Sequence, residues 1–228
     1  MSPSISVVLM AFNETTTLDS ITKEIITTLE GLEQEYEIVI VDDGSTDGTK
    51  KNAEDLVNEY GQLRLVPHAT NLGLGGVYRT GFTQSRFDLV TFFPADGQFP
   101  ASILLQFIPL MNTHDMVLGY FLDRDRSILS KLLSKAEKIL YGLLFGRMPK
   151  FQGVFMFKRT MLNEIPLQSS GRGWAVVLEF IIKASRSNYK LVSVPTEIRP
   201  RIAGKSKVNN IRTILENLVQ AIELRRYL

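Results

Sequence analysis

The residues Ile38-Val39-Ile40-Val41 run without interruption into Asp42-Asp43-Gly44-Ser45-Thr46-Asp47-Gly48-Thr49. Four apolar, β-branched residues predict a strand buried on both faces, and the Gly/Ser/Asp cluster predicts a turn before a helical pattern resumes. A strand that passes to a helix through a carboxylate-bearing loop belongs in an α/β sheet. Such sheets bind ligands in the crevice beyond the carboxyl ends of their strands, where the loops diverge.

The same unit recurs along the first half of the chain. Residues 5–10 form an apolar strand that delivers Ala11-Phe12-Asn13-Glu14 to a turn, and Leu18, Ile21, Ile25, Ile26 and Leu29 then keep helical spacing as far as Gly31. A helix over 49–60 follows the second strand, a third strand covers 63–66, and a fourth over 89–93 ends in Pro94-Ala95-Asp96-Gly97-Gln98. Right-handed crossovers place the ends of parallel strands on one rim, so Asn13, Glu14, Asp42, Asp43 and Asp96 are expected to converge. One acidic turn is ordinary turn chemistry. Three on successive strand ends point to a site.

Between the third and fourth strands, Asn71-Leu72-Gly73-Leu74-Gly75-Gly76 invites a dinucleotide reading. Tyr78 stands where the Gly-x-Gly-x-x-Gly fingerprint requires glycine, and the phosphate-loop motif ending in Gly-Lys-Ser/Thr is absent. The bland alternative is that these glycines let the start of a helix pack closely on a strand.

Charge divides the chain. Residues 1–114 carry 6 Lys/Arg against 15 Asp/Glu, whereas residues 115–228 carry 20 against 9. Two readings stay open: solvated surfaces of opposite sign, or a basic face for phosphates or an anionic membrane. Nucleic acid is not expected, because aromatic residues are not interleaved with the basic ones as stacking platforms. The absence of cysteine excludes disulfides, thiolate metal sites and cysteine nucleophiles, and the two histidines, His68 and His114, are too few for a histidine metal site. The first residues lack a secretory leader and no run of about 18 uncharged apolar residues marks a membrane span, so the expectation is a cytoplasmic protein that is not integral to a membrane.

Beyond Gly119 the pattern turns basic and helical. Over 128–145, Lys131, Lys135 and Lys138 share one face while Ile128, Leu132, Ala136, Ile139 and Leu143 share a neighbouring one. Such a helix either docks on the sheet or lies in a membrane interface. A strand is expected within 151–159 and a helix over 174–187, where Glu179 is expected at an exposed position because a buried carboxylate would need a partner. A last strand over 190–194 leads into a loop with Arg199, Arg201, Lys205 and Lys207, whose forks and point charges suit a diphosphate. An amphipathic helix over 211–224 closes the chain.

In order and spacing these motifs resemble the inverting family 2 glycosyltransferases of GT-A fold, and most of all the polyprenyl-phosphate sugar synthases such as dolichyl-phosphate mannose or glucose synthase. Ala11-Phe12-Asn13-Glu14 resembles the family's first loop, Val41-Asp42-Asp43-Gly44-Ser45-Thr46-Asp47-Gly48 its nucleotide loop, Asn71-x-Gly73-x-Gly75-Gly76 its next loop, and Arg201-x-x-Gly204-x-Ser206-Lys207 the signature of the lipid-phosphate branch. The resemblance covers nearly the whole chain. It implies a mostly parallel Rossmann-like sheet flanked by helices, one domain with a nucleotide-sugar half over 1–118 and an acceptor half over 119–228.

The resemblance also implies the chemistry. Ala11, Phe12, Asn13, Glu14, Asp42, Asp43, Ser45, Asn71 and Gly73 would bind the nucleotide sugar, and Ser206 and Lys207 the acceptor side. Asp96 and Gln98 would hold a divalent Mg²⁺ or Mn²⁺, with Arg124, Arg126 and Arg201 gripping the acceptor phosphate and the leaving diphosphate. The implied reaction moves a hexose from a nucleotide diphosphate sugar to polyprenyl phosphate at the cytoplasmic face of a membrane, the protein being peripheral. The sequence departs from the family at Pro94, where the first Asp of its Asp-x-Asp motif usually stands, and at Pro149, where it usually has another Asp. Two alternatives remain: a carbohydrate acceptor, or a non-catalytic member.

Overall fold

The computed structural model describes residues 3–122, 141–201, 219–220 and 222–228. Arg124, Arg126, Lys131, Lys135, Lys138, Ser206 and Lys207 lie outside the described residues, as do most of the helices expected over 128–145 and 211–224.

Seven strands form one sheet in the order β3-β2-β1-β4-β6-β5-β7. The first four, β1 (Ile5–Ala11), β2 (Tyr36–Asp42), β3 (Leu63–Pro67) and β4 (Leu89–Pro94), pair in parallel, joined by helices α1 (Leu18–Glu30), α2 (Thr49–Glu59) and α3 (Gly73–Gln84). Helix α4 (Ile103–Leu110) leads to β5 (Met116–Tyr120). β6 (Phe155–Lys158) runs antiparallel to both β4 and β5, and β7 (Leu191–Pro195) is again parallel to β5. Short helix α5 (Met161–Glu164) and helix α6 (Ala175–Arg186) lie between β6 and β7.

The apolar runs are strands because both faces are covered. Val7, Leu9, Ile38 and Ile40 point to a core with Leu18, Ile21 and Ile25 of α1 and Phe107 of α4. Their neighbours Val8, Val39 and Val41 point to the opposite core, with Val77 of α3 and Phe180 of α6. That alternation makes a strand buried on both sides read as continuous hydrophobicity. Tyr78, the residue that breaks the dinucleotide fingerprint, is a core side chain: it is 1% exposed and its ring centroid lies 4.7 Å from that of Phe92.

The amino-terminal rim of the sheet is held together by its own carboxylate. Glu37 Oε1 accepts from Ser6 Oγ at 2.6 Å and from the N–H of Arg86, and Oε2 accepts from Arg64. The carboxyl-terminal rim carries the other acids. Register aligns Ala11 with Asp42, Asp42 with Pro67, and Met10 with Pro94, so the ends of β1, β2, β3 and β4 stand in one row.

Candidate functional site

The turns after β1 and β2 are bound together through their side chains. Asn13 N–H donates to Ser45 Oγ at 2.9 Å, Thr46 N–H donates to Asn13 Oδ1 at 2.8 Å, and Glu14 N–H donates to Thr49 Oγ1 at 2.9 Å. Asn13 makes this clasp with φ at 56°, a left-handed conformation that asparagine tolerates better than most residues. Burial alone would raise the Asp47 carboxyl, but the hydroxyl and N–H of Thr49 hold it below its ordinary value. Of the predicted substrate-binding residues, Asn13 and Ser45 therefore shape the loops, and Ala11 ends β1 immediately before them.

Asp43 is 3% exposed, and its carboxylate oxygens accept four hydrogen bonds. Oδ1 accepts from the N–H of Leu72 at 2.8 Å and lies 2.7 Å from His68 Nδ1, while Oδ2 accepts from Asn71 Nδ2 at 2.8 Å and from the N–H of Gly73 at 2.9 Å. An ionised carboxylate offers about four acceptor positions. Asp43 thus ties the turn after β2 to the start of α3, and Gly44 makes the approach possible: with φ at 72°, a Cβ there would lie 2.8 Å from Asn71 N.

The glycine-rich turn packs on a loop rather than on a strand. A Cβ on Gly75 would come 2.1 Å from the carbonyl oxygen of Gly171, and one on Gly73 2.7 Å from that of Arg172. Arg172 Nη2 donates to both the backbone oxygen and Oδ1 of Asn71, and Arg79 Nη1 donates to the carbonyls of Ser169 and Gly171. Glu179 holds this loop from below. The expected exposed position is corrected: Glu179 is 0% exposed, because it accepts from the N–H groups of Gln168 and Ser169 and from Lys183 Nζ at 2.6 Å. Desolvation pushes its carboxyl up, but Lys183 and the two N–H groups outweigh it and hold the group below its ordinary value.

The turn after β4 is built differently. Asp96 Oδ1 accepts from the N–H of Gln98 at 3.1 Å, an Asx turn closed by Gly97 with φ at 70°. Arg201, arriving from beyond β7, places Nη2 2.6 Å from Glu14 Oε1 and 3.8 Å from Asp96 Oδ2. Glu14, Asp96 and Arg201 are thus one cluster, each side chain at most 20% exposed. Arg199 is used elsewhere: it forms a two-pronged pair with Glu24, and its N–H donates to the carbonyl of Gln98. Phe12 occupies the turn between Ala11 and Asn13.

Among the described residues no group of three acids or histidines forms a ready metal cluster. Asp96 and Gln98 nevertheless give a hard-oxygen pair in a single turn, and Mg²⁺ is commonly held by one or two carboxylates together with substrate phosphates. The donors present fit an ion that is completed by a diphosphate.

Comparison with known proteins adds the lineage. The sequence model of glycosyl transferase family 2 matches residues 6–172, taking in the carboxyl-rim turns of β1 to β4. The chain belongs to glycosyl transferase family 2. Among its curated relatives within the family, a dolichol-phosphate mannosyltransferase of Pyrococcus furiosus is 27% identical across 98% of this chain and 64% of that protein. One from Mycosarcoma maydis is 22% identical across 99% of this chain and 80% of its own length. The match to glycosyltransferase AglD of Haloferax volcanii, 26% identical, covers 92% of this chain but 35% of that protein. The chain therefore spans about a third to four-fifths of these family members.

The fold is that of GT-A glycosyltransferases. Glucosyl-3-phosphoglycerate synthase from Mycobacterium tuberculosis, solved with phosphoglyceric acid, superimposes with a TM-score of 0.71 at 19% identity over 96% of this chain and 80% of that one. Its complex with Mn²⁺, UDP and phosphoglyceric acid gives 0.70 over 96% and 78%.

His68, Thr80, Arg172 and Glu24 also hold loops of this candidate site: His68 reaches Asp43 and Thr80, Arg172 reaches Asn71, and Glu24 reaches Arg199 and the N–H of Ala101. For Arg172 there was a signal: a lone arginine between Gly171 and Gly173 marks a close backbone approach. His68 and Glu24 carry no such mark.

Proposed function

We propose that this chain is an inverting hexosyltransferase that takes a nucleotide diphosphate sugar of GDP-mannose or UDP-glucose type as donor and polyprenyl phosphate as acceptor, working as a peripheral protein at the cytoplasmic face of a membrane. The observation that carries the reading is the Glu14, Arg201 and Asp96 cluster. It brings a cation from the acceptor half of the chain to the carboxyl-rim turns of the nucleotide half. The names of the Pyrococcus and Mycosarcoma relatives support a dolichol phosphate acceptor, and the Mn²⁺ and UDP complex of the structural neighbour supports a metal-assisted nucleotide donor.

In this reading residues 1–118 hold the donor and 119–228 the acceptor. Asp42 and the Ala11-Phe12-Asn13-Glu14 turn meet the nucleoside, whose hydroxyl and N–H groups call for acceptors. Asp43, Ser45, Asn71 and Gly73 fix the loops that do so. Asp96 and Gln98 would hold Mg²⁺ or Mn²⁺, which would neutralise charge on the departing diphosphate. Arg201, with Arg124, Arg126, Ser206 and Lys207, grips the acceptor phosphate and the diphosphate.

A phosphate monoester is already ionised near neutral pH, with a second pKa of about 6. An acceptor phosphate oxygen can therefore attack the anomeric carbon while the bond to the diphosphate breaks and its electron pair leaves with the nucleotide. No general base is required, so the acid missing at Pro149 matters less than it would for a hydroxyl acceptor, while Pro94 leaves one carboxylate fewer for the metal and weakens its binding; positioning and charge neutralisation carry the step. A sugar hydroxyl acceptor would need a base, a role for which Asp96 is poorly suited while it holds the metal.

The test is transfer of labelled mannose from GDP-mannose, and of labelled glucose from UDP-glucose, to polyprenyl phosphate in lipid vesicles with Mn²⁺ or Mg²⁺. Organic-extractable labelled lipid is expected. Label appearing only in a soluble glycan would overturn the acceptor, and nucleotide binding without transfer to any acceptor would overturn the enzyme. No helix among the described residues is long and apolar enough to cross a membrane. Vesicle binding is assigned to the basic segment over 128–145, and Lys131→Gln, Lys135→Gln and Lys138→Gln together are expected to weaken it.

A further inference from the structure

His68 stands directly after β3, where its N–H donates to the carbonyl of Asp42 at 2.8 Å. Its ring reaches two ways: Nδ1 lies 2.7 Å from Asp43 Oδ1 and Nε2 lies 2.8 Å from Thr80 Oγ1 on α3. The side chains of His68 and Asp43 are 8% and 4% exposed. The ring is thus held at both nitrogens between the turn after β2 and the first two turns of α3, away from solvent.

The roles of the two nitrogens follow from the partner. Asp43 Oδ1 also accepts from Leu72 N–H, and an ionised carboxylate only accepts, so Nδ1 carries the proton and donates to it. Thr80 can give or take a hydrogen bond and serves Nε2 in either case. Thr80 therefore anchors the ring, and the ring's Nδ1–H completes the four-point grip on Asp43. Because His68 N–H also holds the Asp42 carbonyl, one residue grips the Asp42 to Asp43 peptide at its oxygen and Asp43 at its side chain, while the peptide N–H donates to the carbonyl of Ala11 at 2.8 Å.

We propose that His68 is a positioning residue for the nucleotide: through Asp43 and the Asp42 carbonyl it sets the orientation of the turn after β2, and the contact that matters is the one made by Nδ1. This rests on the nucleotide-binding reading of that turn. Asp42, whose carboxylate is assigned to the nucleoside and accepts from the N–H of Ser45 at 3.3 Å, takes the rest of its orientation from the adjacent peptide. A hydrogen bond to a charged group is worth enough to change affinity by about tenfold or more when lost.

The experiment uses the full chain and compares His68→Asn, His68→Gln and Thr80→Val. Asparagine can place its amide nitrogen near the Nδ1 position, whereas glutamine reaches the Nε2 position and leaves Nδ1 unreplaced. UDP and GDP binding with Mn²⁺ is followed by calorimetry, and thermal unfolding is followed in parallel. The tighter nucleotide should bind His68→Asn within about threefold of the unaltered protein and His68→Gln about tenfold or more weakly. The two variants should melt within about 2 °C of each other, since both keep one of the ring's two contacts. Thr80→Val, which spares Asp43 and keeps the shape of the side chain, should weaken binding about threefold and keeps the test open if neither His68 variant folds.

Equal affinities in the Asn and Gln variants, affinities that simply follow melting temperature, or unaltered binding in Thr80→Val would overturn the positioning role. If the unaltered protein binds neither UDP nor GDP, the nucleotide reading itself falls and this proposal falls with it. Binding by the unaltered protein with no distinction among variants removes this proposal alone.

Discussion

The turn at Asp43 and the turn at Asp96 begin from the same sequence signal, an apolar strand delivering a carboxylate to a glycine turn at the carboxyl rim. They end with different partners. Asp43 accepts two side-chain and two backbone donors and is 3% exposed. Asp96 accepts a backbone N–H of its own turn and faces Arg201 at 3.8 Å. A carboxylate surrounded by short-range donors from the protein organises a loop; one balanced by a longer cation contact can exchange that contact for a ligand. Residue type and position on the rim do not separate the two. The donors contributed by other loops do.

Removing Asp43 should produce the largest stability effect. Asp43→Ala leaves the N–H groups of Leu72 and Gly73 without their acceptor and is expected to cost roughly 3–5 kcal/mol. That is a fall of about 6–20 °C in melting temperature for a chain of this size. A shift under 2 °C would break the contrast with Asp96.

Glu179→Ala tests whether a buried carboxylate in the other half follows the Asp43 pattern. It should cost about 3 kcal/mol, read by chemical unfolding, because Lys183 and the loop N–H groups lose their partner. The same group gives a pH dependence. Its folded pKa is depressed, so its stabilisation is present above the ordinary carboxylate pKa and is lost as pH falls through the lower folded value. Asp115 adds in the same direction: desolvation raises it, but Lys158 and the N–H of Lys190 hold it below its ordinary value. Melting temperature should therefore drop on acidification below about pH 4.5, and Glu179→Gln should flatten that drop.

Asp96→Asn should do the reverse of Asp43→Ala: melting unchanged within about 2 °C, but transfer reduced about a hundredfold or more, because the metal that would neutralise the departing diphosphate loses its carboxylate. Loss of fold with retained turnover would invert the comparison. The smallest effect is expected within the basic loop. Arg199→Lys gives up a partly exposed two-pronged pair with Glu24, worth under about 1 kcal/mol, and should lower melting by a few degrees at most with donor kinetics intact. Arg201→Lys should leave melting alone and reduce turnover.

Much of the frame was legible because strands buried on both faces and followed by glycine turns leave an unbroken record. β1 to β4, α1, α2 and the convergence of the rim acids could be read that way. β5 could not: Met116–Tyr120 is short, enters from His114-Asp115 without a turn signal, and includes Gly119. Helix α4 is apolar almost all round and contains Pro109, so it offers no periodicity to read. The antiparallel direction of β6 is set by its partners and leaves no trace in Phe155–Lys158. At the site, the sequence located the acids but not which were already engaged. The partners of Asp43, which are His68, Asn71 and Leu72, lie 25 to 29 residues along the chain and obey no spacing, whereas Lys183 stands one helical turn from Glu179.

The place of β6 has a further consequence for the life of the chain. It fills the gap between two strands made earlier, so while synthesis proceeds from the N-terminus one edge of β4 stays unpaired until residues 155–158 have emerged. β5 cannot join the sheet before that moment, because its only route to β4 runs through β6. An open apolar edge is a template for other strands. The nascent protein thus passes through a period in which β1 to β4 are assembled yet adhesive, and its yield in cells should depend on how quickly a four-residue strand arrives to close them.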